Sequence, residues 1–291
     1  MATARIGPAP AHFFIMTRND PDAKNPAPMH MADALGTVHS PARGDIRIVS
    51  LVPSLTELLF DLGLGSRVVG RTGFCVHPRA WLKTVPKVGG TKDVKLDAVR
   101  RLDPTHLVVN IDENRRETVE ALAPFVPNII VTHPCKPEDN RDLYRLLGYV
   151  FGREAAARRL EADLNRALAH ACETARSMPP ESVLYLIWRE PWMTVARDTY
   201  ISAMLDRVGW KTLPEVADER YPQFGWAESW LAGVDRVLLS SEPYRFRERH
   251  VGEVSGLSGR PVTLVDGEMA SWYGSRAIIG LEYLARLRRS V

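Results

Sequence analysis

Cysteine is scarce in this chain. Cys75, Cys135 and Cys172 are the only three, and an odd, low count builds no disulfide framework; it fits a reducing compartment. Long apolar runs are missing as well. No stretch approaches the roughly eighteen consecutive apolar residues of a membrane-spanning helix. Charge of one sign is not in excess: 38 Lys and Arg stand against 35 Asp and Glu, a net charge of +3. The basic residues do not interleave with aromatics along one element, which argues against a nucleic-acid partner. No phosphate-cradling loop occurs, because Val88-Gly89-Gly90-Thr91-Lys92 lacks the Walker spacing, and neither G-x-S-x-G nor H-E-x-x-H is present.

What is there is ordinary globular material. Hydrophobic residues make up 45% and charged residues 25% of 291 positions, enough for one large domain or two ordinary ones. Residues 1–43 are rich in Ala, Pro and small polar residues and carry no helical or strand period, so they are expected to be disordered. Their one apolar cluster, Phe13-Phe14-Ile15-Met16, is too short for a signal-peptide core. The chain is therefore expected to be cytoplasmic, or periplasmic if translation starts elsewhere.

A long helical pattern occupies the middle. From Ala157 the apolar residues Leu160, Leu164, Ala167, Leu168, Ala171, Cys172 and Ala175 follow the three-four spacing of one helix face. Gly152 precedes it and Met178-Pro179-Pro180 stops it. About twenty residues at 1.5 Å each give a rod of roughly 30 Å, long enough to join two lobes or to serve as a crossover within one.

On either side, short apolar runs alternate with helical segments, the signature of parallel α/β structure. Strands are expected at 47–52, 67–71, 106–110 and 128–132, then at 183–188, 236–240 and 261–265. A Ser54-Leu55-Thr56-Glu57 capping box opens the first helix, and a helix over 275–289 closes the chain. The halves echo one another. Each has a short helix with an acid near its start (Asp97, Glu228), then an apolar strand, then a glutamate just past it (Glu113, Glu242). The expected organisation is an N-terminal α/β lobe over 44–136, a connecting helical segment over 137–178 and a C-terminal α/β lobe over 179–291.

Ligands of parallel α/β sheets bind beyond the C-terminal strand ends. That rule selects Phe74, Cys75, His77, Thr91, Lys92, Asn110 and Glu113 in the first half, and Trp188, Arg189, Trp192, Glu242, Tyr244, Trp272, Tyr273 and Arg276 in the second, with Tyr221 and Phe224 in the loop before the Glu228 helix. The second set is mostly aromatic, which suits a large, partly apolar ligand. Cys75 and His77 are two residues apart and could both reach a soft or borderline metal ion. The alternative is a packed thiol beside a hydrogen-bonded imidazole. A Cys-His nucleophile is a third reading, without a residue placed by the sequence to orient the imidazole.

The run Arg47-Ile-Val-Ser-Leu-Val-Pro-Ser-Leu-Thr-Glu57, with Val68-Val-Gly70, Leu96-Asp-Ala-Val99 and the segments 231–239 and 266–276, resembles the solute-binding proteins with a helical backbone. These are the receptors of ABC importers for cobalamin, iron-siderophores and haem, and the likeness is greatest to the cobalamin-binding branch. The resemblance spans residues 45–291. It implies two α/β lobes joined by one rigid helix, no catalysis, and a metal-containing chelate held in the cleft by a monomer. Cobalamin is the first choice of ligand. It also implies that Asp97 and Glu228 dock onto an ABC permease, and that Asp266 and Arg276 lie at the cleft. The chain departs from the branch where the corrin is clamped: Phe74, Thr91 and Asn110 supply only one aromatic. A cytosolic carrier of a metal or metal cofactor with the same fold is the other expectation.

Overall fold

The computed structural model describes residues 31–291; the disorder expected over 1–30 lies outside the described residues. Residues 31–43 are ordered, contrary to expectation. β1 (Met31–Ala32) and β2 (Val38–His39) form a small antiparallel hairpin. Buried Asp33 holds it: its carboxylate accepts from the Leu35, Thr37 and Val131 amides and pairs with His39 at 3.1 Å. Two-residue strands have no period to read, so composition alone suggested disorder.

The N-terminal lobe contains β3 (Ile48–Ser50), α1 (Pro53–Asp61), β4 (Val68–Arg71), α2 (Arg79–Leu82), α3 (Leu96–Arg101), β5 (His106–Asn110), α4 (Arg116–Leu122) and β6 (Asn128–Thr132). Its strands are parallel in the order β4-β3-β5-β6. Helix α1 begins earlier than the capping-box reading placed it. Val52 is the flanking residue and Pro53 takes the first turn, where a missing N–H and a preset φ cost nothing.

Two helices follow where one was expected. α5 (Asn140–Val150) and α6 (Glu154–Ser177) are separated by a turn at Gly152, whose φ of +63° suits a residue without a Cβ. They pack antiparallel, with Arg145 paired to Glu161 and Arg141 donating to Asn165.

The C-terminal lobe contains β7 (Glu181–Leu186), α7 (Tyr200–Asp206), β8 (Trp210–Thr212), β9 (Arg236–Ser240), α8 (Val251–Ser258), β10 (Val262–Val265), α9 (Gly267–Ser271) and α10 (Arg276–Ser290). Its parallel order is β10-β9-β7-β8. Counted along the chain, both lobes read second, first, third, fourth, so the repeat glimpsed in the sequence is a shared topology. The chain is α/β, two parallel-sheet lobes with helices between them.

Successive strand residues face opposite sides of a sheet, and here that alternation sorts the core. Ile48 and Val108 of the N-terminal sheet, with Val183, Tyr185 and Leu238 of the C-terminal one, enter a single apolar cluster. Their neighbours Val49, Leu107 and Val109 enter a second cluster private to the N-terminal lobe. Leu184, Leu186, Val237 and Leu239 enter a third, private to the C-terminal lobe. The shared cluster also takes Leu147 from α5, Leu164 and Leu168 from α6 and Leu281 from α10. Helix α10 starts at Glu57 of the N-terminal lobe and ends where Arg288 donates to the Pro179 carbonyl. The connection is thus a layer of helices with one continuous core, not a solitary strut.

Candidate functional site in the interlobe cleft

In both lobes the loops after the C-terminal strand ends face each other. They meet through three polar bridges. At the floor, Arg276 makes a bidentate pair with Glu57 at 2.6 and 2.7 Å and reaches Glu268 at 3.3 Å; Glu268 in turn contacts His77 Nε2 at 2.8 Å. Beside it, the Tyr273 hydroxyl donates to Glu113 at 2.6 Å. At the rim, one nitrogen of Arg220 lies 2.8 Å from both Asp112 carboxylate oxygens. Gly274 closes the base: at φ +75° its added Cβ would sit 3.1 Å from the Ser54 carbonyl oxygen, so the lobes approach through backbone there.

Several expected site residues have other places. Cys75 is turned away from the cleft, buried at 2% exposure with its Sγ 3.1 Å from Thr56 Oγ1 and 3.3 Å from Thr72 Oγ1. Burial pushes its thiol pKa up, against the opposing hydrogen bonds from the two threonines, so a reactive thiolate is disfavoured. His77 does face the cleft and is taken by Glu268. The structure therefore does not bring the two together as metal ligands or as a nucleophile pair. Among the described residues there is no group of three or more His, Cys, Asp and Glu able to hold a metal ion. Residues two apart in an irregular loop need not point alike, and spacing alone does not report direction.

Arg276 is buried at 6% and fully committed to Glu57 and Glu268, so it is an interlobe tie, not a free cation for a ligand. Tyr273 is likewise buried, edge-on to Tyr200 with its hydroxyl on Glu113, and presents no stacking face. The aromatic groups left open are Phe74 on the N-terminal side, 63% exposed, and Trp188 and Tyr221 on the C-terminal side, 39% and 38% exposed. Trp272 is partly open. Its indole N–H donates to Glu242 at 2.8 Å and its ring lies edge-on to His77. Trp188 leans on Tyr244, which belongs to a cluster of Trp192, Phe224, Trp226 and Phe246 beneath it. Lys92 is exposed and donates to the Asp112 carbonyl, and the Thr91 carbonyl accepts from Asn114.

Four participants escaped the sequence reading as site residues: Glu57, Asp112, Arg220 and Glu268. Glu57 and Arg276 were both in view, but they lie 219 residues apart and nothing local announces their pairing. Two carboxyl groups are electrostatically unusual. Desolvation raises Glu113 to about 7, against the Tyr273 hydrogen bond and nearby Lys92 and with the repulsion of Glu242 and Asp112. Desolvation also raises Glu242, whose hydrogen bonds from Ser271 and Trp272 oppose the shift. Asp97 and Glu228 lie away from the cleft. Asp97 is exposed in the first turn of α3 beside Arg100, and Glu228 is exposed just before a 3-10 turn at the matched position of the other lobe.

Two lobes of identical strand order, tied by helices and facing across a cleft, define a receptor-like class of α/β protein. Residues 48–227 match the family described as Periplasmic binding protein, and the chain belongs to it. It is a solute-binding protein and not an enzyme. The "Uncharacterized ABC transporter substrate-binding lipoprotein YvrC" of Bacillus subtilis is 26% identical over 82% of this chain and 78% of its own length. A vitamin B12-binding protein of Photorhabdus laumondii is 24% identical, covering 69% of this chain and 73% of that protein. Among solved structures, the periplasmic vitamin B12 binding protein BtuF of Vibrio cholerae has a TM-score of 0.72 at 17% identity, covering 84% of this chain and 96% of its own. The periplasmic haem-binding protein RhuT from Roseiflexus sp. RS-1 also has a TM-score of 0.72, at 23% identity, with 85% and 99% covered. The likeness to the two solved structures is one of fold. The cytoplasmic expectation is overturned, because the matching relatives are a lipoprotein and periplasmic receptors.

Proposed function

We propose that this chain is the solute-binding component of an ABC-type importer and holds a metal-containing chelate in the interlobe cleft, with cobalamin the first choice and haem or an iron-siderophore next. The observation that carries the reading is the open aromatic wall of the C-terminal lobe, Trp188 with Tyr244 behind it and Trp272 nearer the floor, set beyond the strand ends where such sheets take ligands. The names of the relatives, vitamin B12-binding and haem-binding, support the same class. Phe74, Thr91, Lys92 and His77 border the ligand from the N-terminal side, and Trp188, Tyr221 and Trp272 from the other. Asp97 and Glu228, exposed at matched positions, are the groups that meet a permease. The test is a visible spectrum of the purified chain mixed in turn with cyanocobalamin, haemin and a ferric siderophore. A saturable band shift and tryptophan quenching with one of them supports the reading, and no response to any of the three overturns it.

A further inference from the structure

The cleft holds a matched pair of carboxylates. Glu113 follows β5 and Glu242 follows β9, the third strand of each lobe in chain order. Each has one oxygen engaged. Glu113 Oε1 accepts from Tyr273, and Glu242 Oε1 accepts from Ser271 and Trp272. The second oxygen of each has no hydrogen-bond partner among the described residues, and neither atom is among the sealed, unpartnered polar atoms of the interior. A half-buried acceptor left open beside a ligand cleft is satisfied when the ligand brings a donor.

Four cations at the cleft are already engaged. Arg276 is held by Glu57 and Glu268, Arg220 by Asp112, and Arg189 by Glu253. Lys92, at the rim, donates to a backbone carbonyl. A ligand carboxylate entering here would meet Glu113, Glu242 and Glu268 without a free guanidinium at the floor. Like charges placed together in half-buried surroundings repel, and the repulsion discriminates between ligands of similar shape.

Building on the cobalamin reading above, we propose that Glu113 and Glu242 are specificity-determining residues that select a ligand whose edge donates hydrogen bonds, such as a ring of primary amides, and turn away ligands whose edge carries carboxylates. The groups facing Glu113 are Tyr273, Lys92, Glu242 and Asp112. Burial raises both carboxyl pKa values, so the filter is strongest at alkaline pH, where both are ionised, and relaxes as the medium acidifies.

The experiment compares cyanocobalamin with its monocarboxylic acid derivative, in which one peripheral propionamide is hydrolysed, and with haemin, by tryptophan quenching at pH 8. The acid derivative is expected to bind about tenfold more weakly than the parent, the scale of one unfavourable charge contact. The gap should narrow to about threefold or less in Glu113→Gln/Glu242→Gln, as the same principle requires. The single variants Glu113→Gln and Glu242→Gln, with circular dichroism, cover the case in which the double variant does not fold; each should narrow the gap in part. Equal affinity for parent and acid, or a gap unchanged in the folded variants, overturns the filter while leaving the cobalamin reading intact. Haemin binding without cyanocobalamin binding overturns both.

Discussion

The two lobes share a strand order and differ in what they turn toward each other. The N-terminal lobe offers His77, Lys92, Asp112 and Glu113 with one open aromatic, Phe74. The C-terminal lobe offers Trp188, Tyr244 and Trp272 over an aromatic bed. The common frame says where a ligand sits and nothing of what it is. The loops past the strand ends say that, and they have diverged into a polar face and an aromatic one. Under the proposed function, a flat, partly apolar ligand with a polar edge would satisfy both faces at once.

The comparison is broken most severely at the floor, where the lobes are tied. Arg276→Ala leaves Glu57 half-buried and unpaired, and removing one partner of a buried pair costs about 3–5 kcal/mol. At the rim the Arg220–Asp112 pair is more open, so Arg220→Ala should cost about 1 kcal/mol or less. Urea unfolding of both variants checks the ranking; equal losses would mean that floor and rim hold the lobes alike.

Ligand affinity sharpens the contrast between the faces. Trp272→Ala should weaken binding of the responsive chelate by about 1–3 kcal/mol, the range of a lost aromatic stack. Phe74→Ala, on a ring that is mostly in water, should cost about 0.5 kcal/mol or less. Calorimetric titration decides it, and a larger loss at Phe74 would reverse the assignment of faces.

The polar face should also carry a pH signature. Glu113 has a folded pKa of about 7, above its unfolded value of 4.5. The folded state therefore binds the proton more tightly. This group's contribution is fully present below about pH 4.5 and is lost as pH rises through 7. Glu113→Gln should flatten that part of the stability profile and be more stable than the parent chain at pH 8 by about 1 kcal/mol, discounted for partial exposure. Unfolding midpoints at pH 5 and pH 8 test it; a difference that grows toward acid would contradict the sign.

The smallest effect is expected where the lobes agree. Asp97→Arg and Glu228→Arg, at exposed matched positions, should change stability by less than about 0.5 kcal/mol, yet abolish uptake in cells that depend on this receptor. Uptake that survives the double change would remove these acids from the docking surface.

Much of the frame was legible. The strands 106–110, 128–132 and 236–240 fall where their apolar runs do, because parallel strands buried on both faces read as unbroken apolar segments between turns. β8 was missed because three residues, Trp-Lys-Thr, carry too little pattern. The long helix α6 lies where its spacing and Gly152 put it, whereas α5, within the segment 137–178, was not separated out as a helix of its own. At the site, strand-end position led to His77, Glu113, Trp188 and Trp272, which the structure places around the cleft. It could not give side-chain direction at Cys75, nor the partners of Arg276, since both depend on packing between segments far apart in the chain.

Helix α10 has a consequence for the order in which the molecule can be completed. It follows both sheets in the chain, yet Ala277, Leu281, Leu284 and Ala285 all belong to the core common to both lobes, and Arg276 ties back to Glu57, 219 residues earlier. Neither lobe can seal its inner side until α10 has docked. A chain truncated before 276 would keep that side wet, and the two lobes should melt together in a single transition, as halves of one cooperative unit.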